Sequence, residues 1–364
     1  MKIAKKVLRI TLGIIGLFLL YVLIVLIHGT ITDYQPKEKI SANMIGQATE
    51  NIITDSTISL ITWNIGFGGL GKETIFFYDL DGSLTSSVPV TTPKKYFDKN
   101  QAAIEEFVKI NKSDFYLFQE VDTKAKRSYE VNQFEAIQKG IPNYTGAYAM
   151  NFNVKRVPLP VMEFWNTMGK VEAGLASYAK YQPKESTRYQ FPGNYGWPTR
   201  IFQLDRCFLA QRFEIQNGKE LIVINTHNSA YDKGGELKAQ QMTYLRNYVL
   251  KEYEKGNYVI VGGDWNQCPP NFMFDTFAPG KGDGYETSGI PVDYLPQDWL
   301  WIYDTTTPTN RKLTEVYKDD ETFTTLIDFF LISPNLQLEK VRTIDQTFEY
   351  SDHQPVYVKL KLKQ

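Results

Sequence analysis

The chain has 364 residues, enough for one large domain or two ordinary ones, and its 43% hydrophobic and 22% charged residues exclude a disordered or fibrous protein. Its 40 basic residues nearly balance 41 acidic ones, but Lys2, Lys5, Lys6 and Arg9 all precede the first acid, Asp33; taking those four away leaves 36 against 41. That balance argues against a protein that binds nucleic acid through bulk positive charge, although a bound divalent metal would add local charge that a residue count misses.

The first predicted element is a membrane span. Ile10 to Ile27 form a nearly unbroken apolar run, long enough with its flanks to cross a bilayer as a helix. Basic residues before it and Asp33 after it place the N-terminus in the cytoplasm and the rest outside. The alternative, a cleaved signal peptide giving a secreted form, calls for a shorter apolar run and a small-residue cleavage site, and His28-Gly29-Thr30-Ile31 is a poor one. The chain therefore divides into an anchor at 1–28, a polar linker at 29–55 and a single domain at 56–364.

Within that domain a strand is expected from Ile58 into Trp63, a loop over 71–95, a helix over Tyr96–Ile110 and a buried strand from Phe115 to Phe118. A helix is expected near Tyr129–Lys139. Up to residue 200 the chain then reads as irregular and rich in aromatics. Strands follow near Cys207–Ile215 and Leu221–Thr226, a helix across Glu236–Tyr253 stopped by Gly256, and a strand at Tyr258–Val261. Residues 267–320 read as loop, and Thr325–Ser333 and Val356–Leu362 as closing strands. Cys207 and Cys268 fit neither a zinc pattern nor a disulfide framework. Two buried thiols are expected, with a single disulfide as the alternative.

Polar residues recur where these apolar strands stop. Asn64 ends SLITWN, Glu120 ends FYLFQE, His227 ends LIVINTH, and Asp264 and Asn266 end YVIVGGDWN. Asp328 lies inside TTLIDFFLIS, and Asp352 and His353 precede the final strand. The chain has three histidines, and the two outside the apolar helix both stand at strand ends beside acids or amides. A single such histidine is usually structural; two in matching settings point to one shared cleft.

The ordered set TWN, QE, THNS, GGDWN, IDFFLIS and SDHQP resembles the endonuclease/exonuclease/phosphatase family from about Ile58 to the C-terminus. The resemblance implies a DNase I-like α/β (α+β) fold, a four-layer sandwich of two packed mixed β-sheets flanked by helices. It also implies a metal-dependent phosphoric ester hydrolase. Glu120 would be the main metal ligand, with Asn64 and Asp352 assisting; hard oxygen donors suit Mg²⁺ foremost, with Mn²⁺ or Ca²⁺ as alternatives. Asp328 would fix the tautomer and charge of His353, and Asp264 or His353 would activate the attacking water. Asn266 and His227 would hydrogen-bond the phosphoryl oxygens. Gly174-Leu175-Ala176-Ser177 is a degenerate match to a further family segment. Arg200 and Arg206 are candidate phosphate clamps, each weighed against an ordinary ion pair.

Loops, not core motifs, decide what hangs on the phosphorus. Tyr144, Tyr148, Phe152, Phe164, Trp165, Tyr195 and Trp197 could stack on bases, meet a lipid interface or pack in the core. The sequence therefore points first to an extracytoplasmic, membrane-tethered enzyme acting on a phospholipid headgroup or small phosphodiester. The alternatives are a surface nuclease with DNA or RNA as substrate and a non-catalytic binding protein on the same fold. Oligomeric state is not legible.

Overall fold

The computed structural model describes residues 2–230, 232, 234–280, 282 and 288–363. The helix Lys2–Ile31 carries the apolar run; its last residues meet the domain.

Two mixed sheets pack face to face, as the resemblance implies. One has the strand order Leu336–Thr343, Val356–Leu362, Thr57–Asn64, Phe115–Asp122, Gly169–Ala179, Thr145–Val157 and Asn43–Ile45. The other runs Lys39–Ser41, Glu185–Gln190, Cys207–Ile215, Glu220–His227, Tyr258–Asp264, Asp328–Ile332 and Leu300–Ile302, with Ile52–Ile53 paired beside Cys207–Ile215. Between them lies an apolar layer that includes Leu60, Leu117, Val223, Ile260, Phe330 and Val358, all buried. Helices Lys94–Ile110 and Gln133–Gly140 cover the outer face of the first sheet through Ile104, Phe107 and Phe134. Helix Glu236–Glu254 covers the other sheet through Met242, Leu245 and Val249, which recur at helical spacing.

Several sequence expectations change. The stretch read as irregular between 140 and 200 contains the long antiparallel pair Thr145–Val157 and Gly169–Ala179. Register shifts at Met150/Phe152 and Val154/Val157 break its alternation, and small and aromatic residues are buried on both faces. The polar stretch 29–55 is not a plain tether: Lys39–Ser41 and Asn43–Ile45 add edge strands to different sheets. Leu336–Thr343, an edge strand with alternating exposed charges, is a further strand that the sequence expectations missed. Cys207 and Cys268 are both buried free thiols.

The outer helix is tied down at its end by charge. Arg212 donates to both Glu252 oxygens, at 2.6 and 3.0 Å, and to Glu220 at 2.8 Å. Burial alone would raise the Glu252 carboxyl; hydrogen bonds from Arg212, Lys255 and Asn257 reverse that and bring it down to about 2. A carboxyl depressed by folding contributes stability that is complete above its unfolded value near 4.5 and fades as pH falls towards about 2. Glu252→Gln is expected to lower unfolding stability at neutral pH by about 2 kcal/mol. Thermal melts of the two proteins should converge as pH is lowered through that window; a constant gap would show that charge is not the source.

Candidate active site

Strand register builds the centre of the site. His227 pairs with Asp264, and Asp264 pairs with Asp328, on three neighbouring strands. Residues in register on adjacent strands project to the same face, so these three side chains line up. Two residues earlier on the same faces, Asn225 and Gly262 point between the sheets. Asn225 accepts a hydrogen bond from Gln119 Nε2 at 2.7 Å and donates to the carbonyls of Phe118 and Ala176. This buried amide link locks the two sheets together directly behind the strand ends. The register at Gly263 requires glycine: φ is +155° and a Cβ would stand 2.0 Å from the Thr226 carbonyl oxygen.

The facing sheet supplies the other side. Asn64 Nδ2 donates to Asp264 Oδ2 at 3.0 Å and to Glu120 Oε1 at 3.2 Å, while its Oδ1 accepts from the Gly66 N–H. Glu120 sits at a register shift between Phe118 and Val121 with φ +55°. Bulges of this kind re-aim a side chain, and here the carboxylate turns out of the strand's regular alternation. Gly66, with φ +49°, passes so close to Asp352 that a Cβ would lie 2.9 Å from Oδ1.

His353 completes the centre. Its Nδ1 stands 2.8 Å from Asp328 Oδ2, and its Nε2 stands 3.8 Å from both Asp264 Oδ2 and Asp352 Oδ2. Trp63 Nε1 donates to the His353 carbonyl at 3.0 Å, and the His353 N–H donates to Ser351 Oγ, which fixes the backbone. His227 Nε2 lies 3.4 Å from Asp264 Oδ2. Asn266, at φ +50°, donates its N–H to Asp264 Oδ1 and its amide to the Asn228 carbonyl.

The two histidines are driven in opposite directions. Burial disfavours charge on both. At His353 the carboxylates of Asp328, Asp352 and Asp264 overcome burial and raise the pKa well above the ordinary value. At His227 burial is reinforced by the charges of Arg206 and His353, and the pKa falls well below it. The site thus favours the charged form of one imidazole and the neutral form of the other, a division of environments typical of acid–base sites. Burial pushes Asp328 up to about 6, against the pull of His353. Burial also pushes Asp352 up to about 7, with Glu120 adding to the rise and His353 and Arg311 opposing it.

That last shift bears on metal binding. Glu120 and Asp352 are carboxylates close enough to repel each other, and a divalent cation between them would relieve the repulsion. The donor set fits a hard cation. Asn64 stands as a donor to two carboxylates, so it offers oxygen to a metal only after its amide turns over. Asp264, Asp328 and His353 also bring ligand atoms within 4.8 Å of one another. Their closeness reflects the ion pair at His353 Nδ1, where the ring is already engaged.

Of the two arginines, Arg206 is the one whose charge reaches His227. Arg200 lies on the short helix Thr199–Phe202 and pairs with Asp33 at 3.7 Å, next to the N-terminal helix. The ion-pair alternative describes it. The aromatics divide: Tyr148 and Phe152 are core, whereas Phe164, Trp165 and Trp197 are exposed. Ala176 and Ser177, in the degenerate segment, receive the Asn225 amide rather than facing the cleft.

Other participants were missed. Asn310 places its amide 3.0 Å from His353 Nε2. Arg127 is buried, forks onto both oxygens of Asp122 at 2.9 and 3.0 Å, and stacks 3.8 Å over the Phe67 ring beside Glu120. Lys238 is buried within the field of Asp264, and burial lowers its amine below the usual lysine range. Its spacing with Gln241 and Met242, three and four residues on, is a signal that placed it on the inner helix face. Gln241 and Met242 hold the loop after His227, through Ser229 and Asn228.

Residues 61–353 match the profile of the Endonuclease/Exonuclease/phosphatase family. The chain belongs to this family. Among similar solved structures is ANGEL2, a 2',3'-cyclic phosphatase in complex with adenosine-2',3'-vanadate. It has a TM-score of 0.54 and 14% identity over 89% of this chain and 99% of that one. Family structures from Bacteroides vulgatus (TM-score 0.51, 17% identity, 85% and 100% covered) and Beutenbergia cavernae DSM 12333 (0.51, 12%, 84% and 72%) share the fold as well. No curated protein sequence matches the chain. Membership of this family makes the chain a phosphoester hydrolase and agrees with the fold inferred from its strand-end motifs.

Proposed function

We propose that this family member is a divalent-metal-dependent phosphodiesterase or phosphatase, held at a membrane by helix Lys2–Ile31. Its domain, with the edge strands Lys39–Ser41 and Asn43–Ile45, lies outside the cytoplasm, and its substrate is a phospholipid headgroup or small phosphodiester. The observation that carries the catalytic part is the convergence on Asp264: Asn64, His227, His353 and Asn266 surround one carboxylate from both sheets.

The division of labour follows from charge. The carboxylates of Asp328, Asp352 and Asp264 favour the charged form of His353, in which it would serve as a positive group facing the phosphoryl oxygens. Asp264 is left to accept the proton of the attacking water and orient it. Asp328 holds the His353 ring and its charge. His227 and Asn266, with Arg206 behind them, hydrogen-bond the phosphoryl oxygens where negative charge grows. Glu120 and Asp352, with Asn64 after rotation of its amide, would hold Mg²⁺. When bound, that ion supplies positive charge for the phosphoryl group and the leaving oxygen.

The membrane part is supported by a helix of 30 residues whose most apolar window is wholly exposed, preceded by four basic residues. An apolar window of that composition with no buried residue suits hydrocarbon.

The test is a substrate panel on the full-length protein with Mg²⁺: mixed phospholipid vesicles, a small chromogenic phosphodiester and plasmid DNA. Headgroup release together with cleavage of the small ester is expected, and intact plasmid. Plasmid nicking without lipid turnover would replace this substrate class with nucleic acid, and failure on all three would remove the catalytic assignment.

A further inference from the structure

Two loops touch the N-terminal helix, and both leave the sheets at the rim that carries the active site. Residues 158–168 join Thr145–Val157 to Gly169–Ala179. Asp122 pairs with Ala173 and Val121 with Gly174, so the start of Gly169–Ala179 lies beside the strand end that bears Glu120. Residues 191–206 join Glu185–Gln190 to Cys207–Ile215, and Phe208 pairs with Thr226, so this loop leaves next to His227.

The contacts with the helix are specific. The Phe164 ring lies 5.6 Å from that of Tyr21. Trp197 Nε1 donates to Thr30 Oγ1 at 3.1 Å, and Arg200 pairs with Asp33. Gly29 packs so tightly that a Cβ would stand 3.0 Å from Ile201 Cδ1. Tyr21 precedes Ile27, the end of the apolar run, by six residues, which is about 9 Å along a helix axis. The Phe164 loop therefore reaches well below the point where the span ends.

What that loop exposes is apolar. Met162, Phe164 and Trp165 are 50%, 51% and 70% exposed, and Trp197 on the second loop is 58% exposed. Arg156 Nη2 donates to the Phe164 carbonyl at 2.7 Å, which places a cation beside these rings. Large exposed apolar side chains next to a basic residue, beside an apolar helix long enough to span a membrane, have the composition of a bilayer interface. The surface that is continuous with the exposed face of the helix, and that would cover it and the loop together, is the bilayer.

We infer that loops 158–168 and 191–206 dip into the outer leaflet and hold the mouth of the active site against the lipid headgroups. This rests on the membrane reading of helix Lys2–Ile31 and adds the orientation of the domain. A phosphoester borne by the membrane then enters from its headgroup end, while a bulky polymer is kept off by the bilayer itself.

Full-length protein in phosphatidylcholine vesicles with acyl-brominated lipid tests the inference, because bromine quenches tryptophan on contact. Trp63, Trp265 and Trp299 are buried in the domain and report nothing from the bilayer. Wild type should co-float with vesicles and be quenched. The double variant Trp165→Ala/Trp197→Ala, which removes the exposed tryptophan of each loop, should still co-float but lose most of the quenching. It should also hydrolyse vesicle-borne ester more slowly while cleaving a soluble ester as before. Co-flotation with quenching untouched by the double variant would overturn the docking and leave the anchor standing. Failure to co-float would overturn both.

Discussion

Asp264→Asn is expected to lower turnover of any phosphoester substrate by about 1,000-fold or more, the range seen when a positioned acid–base group is lost. The change is nearly isosteric, and Asn266 can still donate its N–H to the remaining carbonyl oxygen. What is lost is the oxygen that takes the water proton and one of the three carboxylate charges, after those of Asp328 and Asp352, that favour a charged His353. His353→Ala should cost a similar factor, because it strands Asp328, Asp352 and Asp264 without their shared cation. The two losses should not add, since both residues act through one unit. A double variant much slower than either single one would show that they work independently. Circular dichroism and melting temperature separate these outcomes from unfolding.

Chelation should abolish activity, and Glu120→Ala should raise the metal concentration needed for half-maximal rate by about 100-fold or more, beyond the effect of losing an outer partner of a ligand. The structural reason is that burial raises Asp352 to about 7 and the neighbouring Glu120 carboxylate adds to the rise, a repulsion that a cation between them would relieve. A readout free of catalysis exists. Mg²⁺ at about 100 times its dissociation constant should stabilise the fold by about 2.7 kcal/mol, seen as a higher melting temperature. Glu120→Ala should remove most of that shift. A shift retained in Glu120→Ala would place the ion elsewhere, with the cluster of Asp264, Asp328 and His353 as the remaining group.

The candidate site was legible because a polar residue at the end of an apolar strand leaves a mark on the pattern. Asn64, Glu120, His227 and Asp264 each interrupt such a run, and the structure brings them and His353 together. Arg127 left no such mark, because its fork onto Asp122 and its stacking on Phe67 are made across loops. Asn310 was hidden in a stretch read as loop, and its contact with His353 spans 43 residues. Arg200 shows the opposite failure: a cation among aromatics is conspicuous in sequence, but its partner, Asp33, is fixed only by the fold.

The fold was legible where alternation was clean. Val356–Leu362 was expected at the same bounds at which it forms, since Val356, Val358, Leu360 and Leu362 face inward and residues between them do not. Thr145–Val157 carries Gly146, Ala147 and Ala149 among aromatics and is interrupted by register shifts, so no period of two survives to be read. The edge strands Lys39–Ser41 and Asn43–Ile45 are only three residues each, too short for any period.

The central claim is that one cluster, built on Asp264 and His353, hydrolyses a phosphoester with a divalent metal. Its most direct test is the hydrolysis of bis-p-nitrophenyl phosphate by full-length wild type and Asp264→Asn, with Mg²⁺ and after chelation. Turnover is expected to need both Mg²⁺ and Asp264. Turnover that persists in the folded Asp264→Asn protein, or without any divalent metal, would contradict it.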